Sequence, residues 1–562
     1  MHRMLSYATL LTILVLSAQP SRGWAIQDSP RPLKPRQEQA TAAGWHAEGT
    51  RGAVSAGGAE AVHAGMLILK NGGNAADAAV ATILALSVTD AGLFCFGGEV
   101  PIMVYNAKRG VTEVIAGQGV APRLATREHF APHGPIPVRG IEVATVPAVL
   151  DACLVALERH GSRRFSEVAA PALMLLERDQ EPWHSQLRAT LFDLITTENS
   201  TSDRSLGYQR VADYFYRGPI ARRIDTWARA SGALIRYDDL ATHVTRVEEP
   251  VRADFRGFTV LKCGPWTQGL ALLQSFQILD PVEMLTGNPC DPKTIHTVTE
   301  SLKLAFADRD QYYADPLFSE VPIAQLLDPA YAKLRRTLVD PEHASWELRP
   351  GDPVTHQVVV PVKPRLQTHP NQPSDTTTCL VADAWGNVVA ATPSGWSGVP
   401  AGDTGVWLGS RLQSFRIDAD HPNVIQPGKR PRITLTPTLV LKNSKPILAV
   451  SVAGADLQDQ VSLQILLDHL VFEKNASESV TLPRYSTGHY IGSFAQTPPQ
   501  LGTLTLQSMI AESTGAELSQ RGHTVQRTEG IIGAPSVLVI DPVSRKFEAA
   551  GDPRAGRHAA AY

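Results

Sequence analysis

Two hydrophobic periods divide the chain. From Gly58 to Val88 the apolar residues recur at helical spacing, with Val80, Ile83, Leu84 and Val88 on one face, which predicts two Ala-rich helices broken at Asn71-Gly72-Gly73. The double glycine stops the first helix. Asn74 caps the second, and Asp77 lies in its first turn, where the helix dipole favours negative charge. The many alanines predict close packing against another element. A Gly-rich turn at Phe96-Gly97-Gly98 precedes a strand around Ile102 to Tyr105. Residues from about 145 to 340 read mostly helical, with one long helix over Pro292 to Tyr313. Residues 343 to 375 change character: several prolines, few large apolar residues apart from a valine run, and a polar stretch from Thr368 to Asp375. That is linker composition. Period two takes over beyond it. Cys379 to Val381 with Val388 to Ala391, Leu439 to Leu441 with Ile447 to Val452, and Ser536 to Ile540 with Lys546 to Ala549 predict three hairpins. One helix is expected from about Asp459 to Phe472. Hairpins packed as two sheets with helices outside predict an α+β fold, a four-layer αββα sandwich.

Composition narrows the function. Of 562 residues 43% are hydrophobic and 19% charged, and the net charge is -3. A chain so balanced lacks the basic clusters that a nucleic-acid or anionic-membrane partner calls for. The start reads as an export signal over residues 1–25: Met1-His2-Arg3, the apolar run Ala8 to Ala18, and small residues two apart in Gly23-Trp24-Ala25. The apolar run is short for a bilayer span. The mature protein is therefore expected in the periplasm or secreted, with no membrane association after signal removal. Residues 26 to about 45 form a polar lead-in. The five cysteines (Cys95, Cys153, Cys263, Cys290, Cys379) show no disulfide spacing. There is no C-x-x-C, H-E-x-x-H, Walker or dinucleotide motif, so neither a metal nor another cofactor is indicated. Asn199 and Asn475 begin weak N-x-[ST] signals.

The chemistry concentrates at Thr376, which opens Thr376-Thr377-Thr378-Cys379 after the linker. A cut before it would free an α-amine on the same residue as the hydroxyl, joining nucleophile and proton acceptor. The reference pKa of an α-amine, about 7.7–8.0, suits a general base. The branched Cβ limits χ1 and steadies the hydroxyl.

A set of ordered motifs extends this reading: Gly72-Gly73-Asn74-Ala75-Ala76-Asp77, Phe96-Gly97-Gly98, Ala305-Phe306-Ala307-Asp308-Arg309, Ala314-Asp315-Pro316, Thr376-Thr377, Gly386-Asn387, Gly428-Lys429-Arg430-Pro431, Pro437-Thr438, Gly522-His523 and Gly551-Asp552-Pro553-Arg554. In this order and spacing the chain resembles the γ-glutamyltransferase family of N-terminal-nucleophile (Ntn) hydrolases over nearly its whole mature length. The resemblance implies a precursor that cleaves itself between Asp375 and Thr376. A large subunit (26–375) and a small subunit (376–562) would remain together as a heterodimer. It implies Thr376 as nucleophile, Ser394 as its hydrogen-bonding partner, and the backbone of Gly454 and Ala455 as the oxyanion donors. It implies an activity: hydrolysis or transfer of a γ-glutamyl or related acyl group from a small amide or peptide such as glutathione, through an acyl-threonine.

The substrate positions depart from the family pattern. Gln118 stands where an arginine grips the α-carboxylate. Gln413 or Ser414 replaces the acid that grips the α-amine, Ile433 and Thr434 replace a serine pair, and Trp396 replaces an asparagine. Thr378 stands where many members carry histidine. Loss of a bidentate arginine contact is not conservative. Arg411 or Arg432 is a candidate replacement charge, and Trp396 or Trp407 a candidate pocket wall. This pattern is similar to the family's divergent branch, which includes acylases acting on other side-chain amides such as glutaryl groups, so a glutaryl- or cephalosporin-type acylase is the alternative to the γ-glutamyl activity. A catalytically idle binding homologue is the alternative from another class. A serine hydrolase lacks G-x-S-x-G support.

Overall fold

The computed structural model describes residues 43–562 except 134–135, 179–180, 282–283, 286, 358–374 and 495. The export signal and most of the polar lead-in lie outside the described residues, as does most of the polar stretch before Asp375.

Two seven-stranded sheets form the centre. The first runs, in spatial order, His558–Ala561, Gly52–Ala56, Cys379–Asp383, Val388–Ala391, Ile102–Asn106, Val111–Ala116 and Arg246–Glu248. The second runs His46–Gly49, Phe547–Gly551, Ala534–Ile540, Lys445–Ala453, Thr438–Lys442, Phe258–Lys262 and Val251–Phe255. Every pairing in both sheets is antiparallel. Inward residues of both sheets share one apolar core, with Met103, Leu380, Ala382 and Ala390 from the first meeting Leu439, Ala449, Leu538 and Ala549 from the second. Helices Ala59–Lys70, Ala75–Thr89, Val149–His160 and Phe165–Arg178 cover the outer face of the first sheet, and Leu270–Leu279, Pro292–Tyr312 and Leu457–Leu470 cover the second. That is the expected αββα order. A small third sheet joins Tyr485–Ser486, Thr503–Gln507 and Thr524–Thr528.

The local signals work as their chemistry requires. Asn74 accepts from the Ala76 and Asp77 amides while the Asp77 carboxylate accepts from the Asn74 amide, a reciprocal capping box. Gly65 is where the two Ala-rich helices touch: a Cβ there would stand 2.3 Å from Thr82 Oγ1. The three hairpins and the helix after them form within a few residues of their expected bounds.

The middle of the chain is mostly helical, as expected, but also contributes strands: Arg246–Glu248 pairs with the first sheet, and the hairpin Val251–Phe255/Phe258–Lys262 extends the second. Three short strands around Pro250 carry the chain from one sheet to the other, too short for their period to register in sequence. The described part of the supposed linker, 343–357, is docked rather than free. Lys303 donates to the Ser345 carbonyl at 3.0 Å, the Trp346 indole donates to the Gly522 carbonyl at 3.0 Å, and the Gly351 amide donates to Asp308 at 2.9 Å.

Candidate active site

The Thr376 site grows out of a hairpin. Cys379 pairs with Ala391, and one step outward the Thr377 amide donates to the Pro393 carbonyl at 2.9 Å. This register carries Ser394 to the start of the nucleophile strand, with its Oγ 3.1 Å from Thr376 Oγ1. Both residues are buried. The Thr376 and Ser394 hydroxyls both donate to the Asp375 carbonyl oxygen, the carbonyl of the peptide that joins residues 375 and 376.

Arg411 is the cation on the Asp375 side of this centre. Its Nη2 donates to Ser394 Oγ, to the Asp375 carbonyl at 3.4 Å and to Asp375 Oδ1 at 3.2 Å, while its Nε donates to Glu99. Asp375 Oδ2 also accepts from Ser410 Oγ at 2.9 Å and from the Trp396 amide at 3.2 Å. Glu99 exchanges two backbone bonds with Ser394 (3.0 and 2.9 Å), which fixes its side chain beneath the site. Gly395 and Gly409 make room for that carboxylate, since a Cβ on either would lie 2.9 Å from it. Burial pushes Glu99 up to about 7, against the pull of Arg411 and aided by the nearby Asp375 charge. The Gly97-Gly98 pair has the same logic: a Cβ on either would come within 2.3 Å of the Trp407 or Ser394 carbonyl.

On the other flank Thr377 Oγ1 donates to Asp90 at 2.6 Å, and Arg557 donates to Thr377 Oγ1 at 3.2 Å and to the Thr376 carbonyl at 3.3 Å. Thr378 Oγ1 lies 2.8 Å from Ser536 Oγ, and Thr392 Oγ1 lies 2.9 Å from Ser451 Oγ, so hydroxyl pairs tie the nucleophile strand and its partner to the second sheet.

The Gly454-Ala455 turn follows the strand Lys445–Ala453, with φ of 143° and 53°. Ala455 is a non-glycine residue in the left-handed region, which costs energy and marks a constrained turn. Among the described residues neither amide has an acceptor. A short relay joins this turn to Arg411. Asp456 accepts from the Ser493 amide at 2.9 Å and from its hydroxyl at 2.5 Å, and the adjacent Phe494 ring lies 5.3 Å from the Arg411 guanidinium.

The remaining expected positions separate. Trp396 stacks on Trp407 at 4.5 Å, and Trp183 meets Trp407 edge-on at 6.2 Å. Gln118 is buried and donates to the Gly119 carbonyl at 2.9 Å, with its Oε1 unpartnered. Gln413 and Ser414 share the 3-10 turn Arg411–Ser414, and neither supplies a charge. Ile433 turns its side chain into the core between the sheets, and Thr434 Oγ1 is buried without a partner. Arg432 lies in a separate buried cluster with Arg309, Arg416 and Asp310; burial and the two neighbouring arginines push it down to about 9. Of the two candidate replacement cations, only Arg411 touches Thr376's neighbours. Sequence reasoning missed Glu99 and Ser410. The one available signal was an acid inside the apolar run Phe94 to Ile102.

The profile of the Gamma-glutamyltranspeptidase family matches residues 61–179 and 178–562. The chain belongs to this family. Among its relatives, the Glutathione hydrolase-like YwrD proenzyme of Bacillus subtilis (strain 168) is 27% identical over 514 residues, covering 86% of this chain and 93% of that protein. The Acylase ACY 1 proenzyme of Pseudomonas sp. (strain SE83) is 29% identical over 567 residues, covering 92% and 94%. The crystal structure of a cephalosporin acylase from Bacillus halodurans shares the fold, with a TM-score of 0.76 at 24% identity over 94% of this chain and 99% of that one. Relatives named as glutathione hydrolases and relatives named as acylases both stand among the matches.

All five cysteines are unpaired thiols. One further cluster has ligand-like geometry: His296, Glu300 and His523 bring their ligand atoms within 4.8 Å of one another. Protein cations already occupy the carboxylate, with Lys303 on Glu300 Oε1 at 2.6 Å and Arg349 on Oε2 at 3.2 Å.

Proposed function

We propose that the chain is a self-cleaving Ntn amide hydrolase of the acylase type, with Thr376 as nucleophile. In the precursor the Thr376 hydroxyl attacks the Asp375 carbonyl carbon, the peptide nitrogen leaves as an amine, and water opens the resulting ester. The products are a carboxylate on Asp375 and a free α-amine on Thr376. In turnover that amine takes the hydroxyl proton, Oγ1 attacks the substrate carbonyl, and the proton passes to the leaving amine. Water then releases the acyl group. Ser394 holds the hydroxyl, and the amides of Gly454 and Ala455 are the donors for the developing oxyanion.

The observation that carries this reading is the convergence of the Thr376 and Ser394 hydroxyls on the carbonyl of the peptide preceding Thr376. The acylase branch is favoured because Gln118, Gln413 and Ser414 offer no charged grip for a glutamyl group, while Arg411 stands beside the nucleophile. The γ-glutamyl alternative draws on the family profile and on relatives named glutathione hydrolases. The reading includes an exported protein, with residues 1–25 removed and fragments 26–375 and 376–562 held together.

A denaturing gel with N-terminal sequencing tests the first step. Wild type should give two bands, the smaller beginning at Thr376, and Thr376→Ala should remain one uncut, inactive chain. Cutting at this bond in the Thr376→Ala variant refutes the assignment. Parallel assays with glutaryl and γ-glutamyl anilides separate the two branches.

A further inference from the structure

The acyl group that Thr376 first receives is part of the chain itself. We propose that the hold on the Asp375 side chain is also the acyl pocket of the mature enzyme, and that it selects four-carbon acyl groups ending in a carboxylate. The inference rests on Thr376 as nucleophile and specifies what that nucleophile removes.

Self-cleavage and turnover deliver an acyl group to the same oxygen, so a substituent on either acyl group extends from the same point. In the precursor that substituent is the Asp375 carboxylate, and three donors from two stretches of the site, Trp396 and Ser410-Arg411, converge on it. Ser410 Oγ (2.9 Å) and the Trp396 amide (3.2 Å) donate to Oδ2, and Arg411 Nη2 (3.2 Å) donates to Oδ1. The Arg411 side chain is fully buried and fixed from below by Glu99 and from the side by Phe494. Its Nη1 has no acceptor among the described residues. Charge-assisted contacts of this kind are short-range and geometry-dependent.

Cleavage turns Asp375 into a chain end with a second carboxylate. Two negative charges on Asp375, beside Glu99, then compete for one guanidinium, and like charges at this distance repel. The chain end departs, Ser410 and the Trp396 amide lose their Asp375 acceptor, and Arg411 keeps Glu99 and Ser394 but loses the outer carboxylate; buried donors left unpaired are costly until an anion returns. Two carbons separate the scissile carbonyl of Asp375 from its carboxyl carbon. A substrate that matches both ends is therefore a succinyl amide or its 2-amino relative, an α-aspartyl amide. Glutaryl and γ-glutamyl groups carry their carboxylate one methylene further out, past the register set by Ser410 and the Trp396 amide.

Processed wild-type enzyme is assayed with p-nitroanilides of succinate, α-aspartate, glutarate, γ-glutamate and pentanoate, the last being a neutral match in length to succinyl. The expected result is a kcat/KM for succinyl or α-aspartyl at least ~100-fold above pentanoyl and about 10-fold above glutaryl. Which of the two four-carbon arms leads reports whether the 2-amino group is read. Free succinate should inhibit competitively at about 10-fold lower concentration than glutarate, a measurement that needs no variant. Ser410→Ala should narrow the succinyl-to-pentanoyl ratio about 10-fold, mainly through KM. A processed enzyme that treats pentanoyl or glutaryl as well as succinyl overturns the pocket while leaving Thr376 as nucleophile. A chain that stays uncut overturns both.

Discussion

At Thr376 a guanidinium, a glutamate and an aspartate meet around one peptide bond. At His296 two histidines meet a glutamate that already holds two cations. Both clusters are shut away from water, and burial dominates the titration of Glu99 in the first and of His523 in the second. Burial raises an acid and lowers a base, so the two clusters answer pH in opposite directions. They differ also in purpose. The His296 cluster fastens residues 340–349 to the helix Pro292–Tyr312, since His296 Nε2 meets the Asp340 carbonyl at 2.7 Å and Lys303 the Ser345 carbonyl at 3.0 Å. Its carboxylate is held by Lys303 and Arg349, while His523 Nδ1 is buried without a partner among the described residues. The Thr376 cluster has its contacts arranged across a bond that the reading above has it break.

The comparison breaks most sharply at Arg411. Arg411→Leu strands the buried Glu99 carboxylate and unties Asp375. Removing one partner of such a buried pair costs about 3–5 kcal/mol. Urea unfolding of the uncut Thr376→Ala chain, with and without Arg411→Leu, should show that loss, and Arg411→Leu alone should slow self-cleavage. The equivalent change at Lys303 should cost less, because Arg349 still serves Glu300.

A smaller effect comes from Glu99. Its folded pKa of about 7 lies above its ordinary 4.5. A raised folded value means that its contribution to stability is complete below about 4.5 and is lost as pH rises through about 7. The uncut chain carrying Glu99→Gln should lose that slope between those limits, as read by melting temperature across the window. An unchanged slope would remove Glu99 from the account.

At neutral pH the smallest effect belongs to the histidines. Burial, with Lys303 and His296 adding, lowers His523 from 6.5 to about 3, and burial and Lys303 lower His489 to about 4. A depressed base stabilises the fold above about 6.5 and gives up that stability as pH falls through its folded value. His523→Phe should therefore flatten part of the acid limb between pH 6.5 and 3 while shifting the neutral melting temperature by only a few degrees. A wild-type acid limb retained in that variant would place the titration elsewhere.

Much of this was legible along the chain. Asn74 announced a helix start because a cap and its amides lie within three residues, while the reciprocal bond from Asp77 emerged only in the structure. The strands at 379–383 and 388–391 announced a hairpin because period two and a Gly386-Asn387 turn are local. The ordered motifs, Thr376-Thr377 among them, carried the family, and Gly97-Gly98 read as a turn whose close backbone contacts only the structure revealed. Aligned position alone could not give a side chain's surroundings. Ile433 occupies the slot of a binding residue yet faces the core, and Gln118 hydrogen-bonds to its own neighbour's carbonyl.

Sequence alone determined the hairpins, since each rests on contacts within a few residues, and its motif set pointed to the layered fold and to Thr376 as the nucleophile we propose. Tertiary structure decided that Glu99, Asp375, Trp396 and Arg411 share one pocket, and that Arg432 does not join them. Those choices depend on which strand edges meet and which charges lose their water together. Such energies arise between segments up to three hundred residues apart, and no local pattern encodes them.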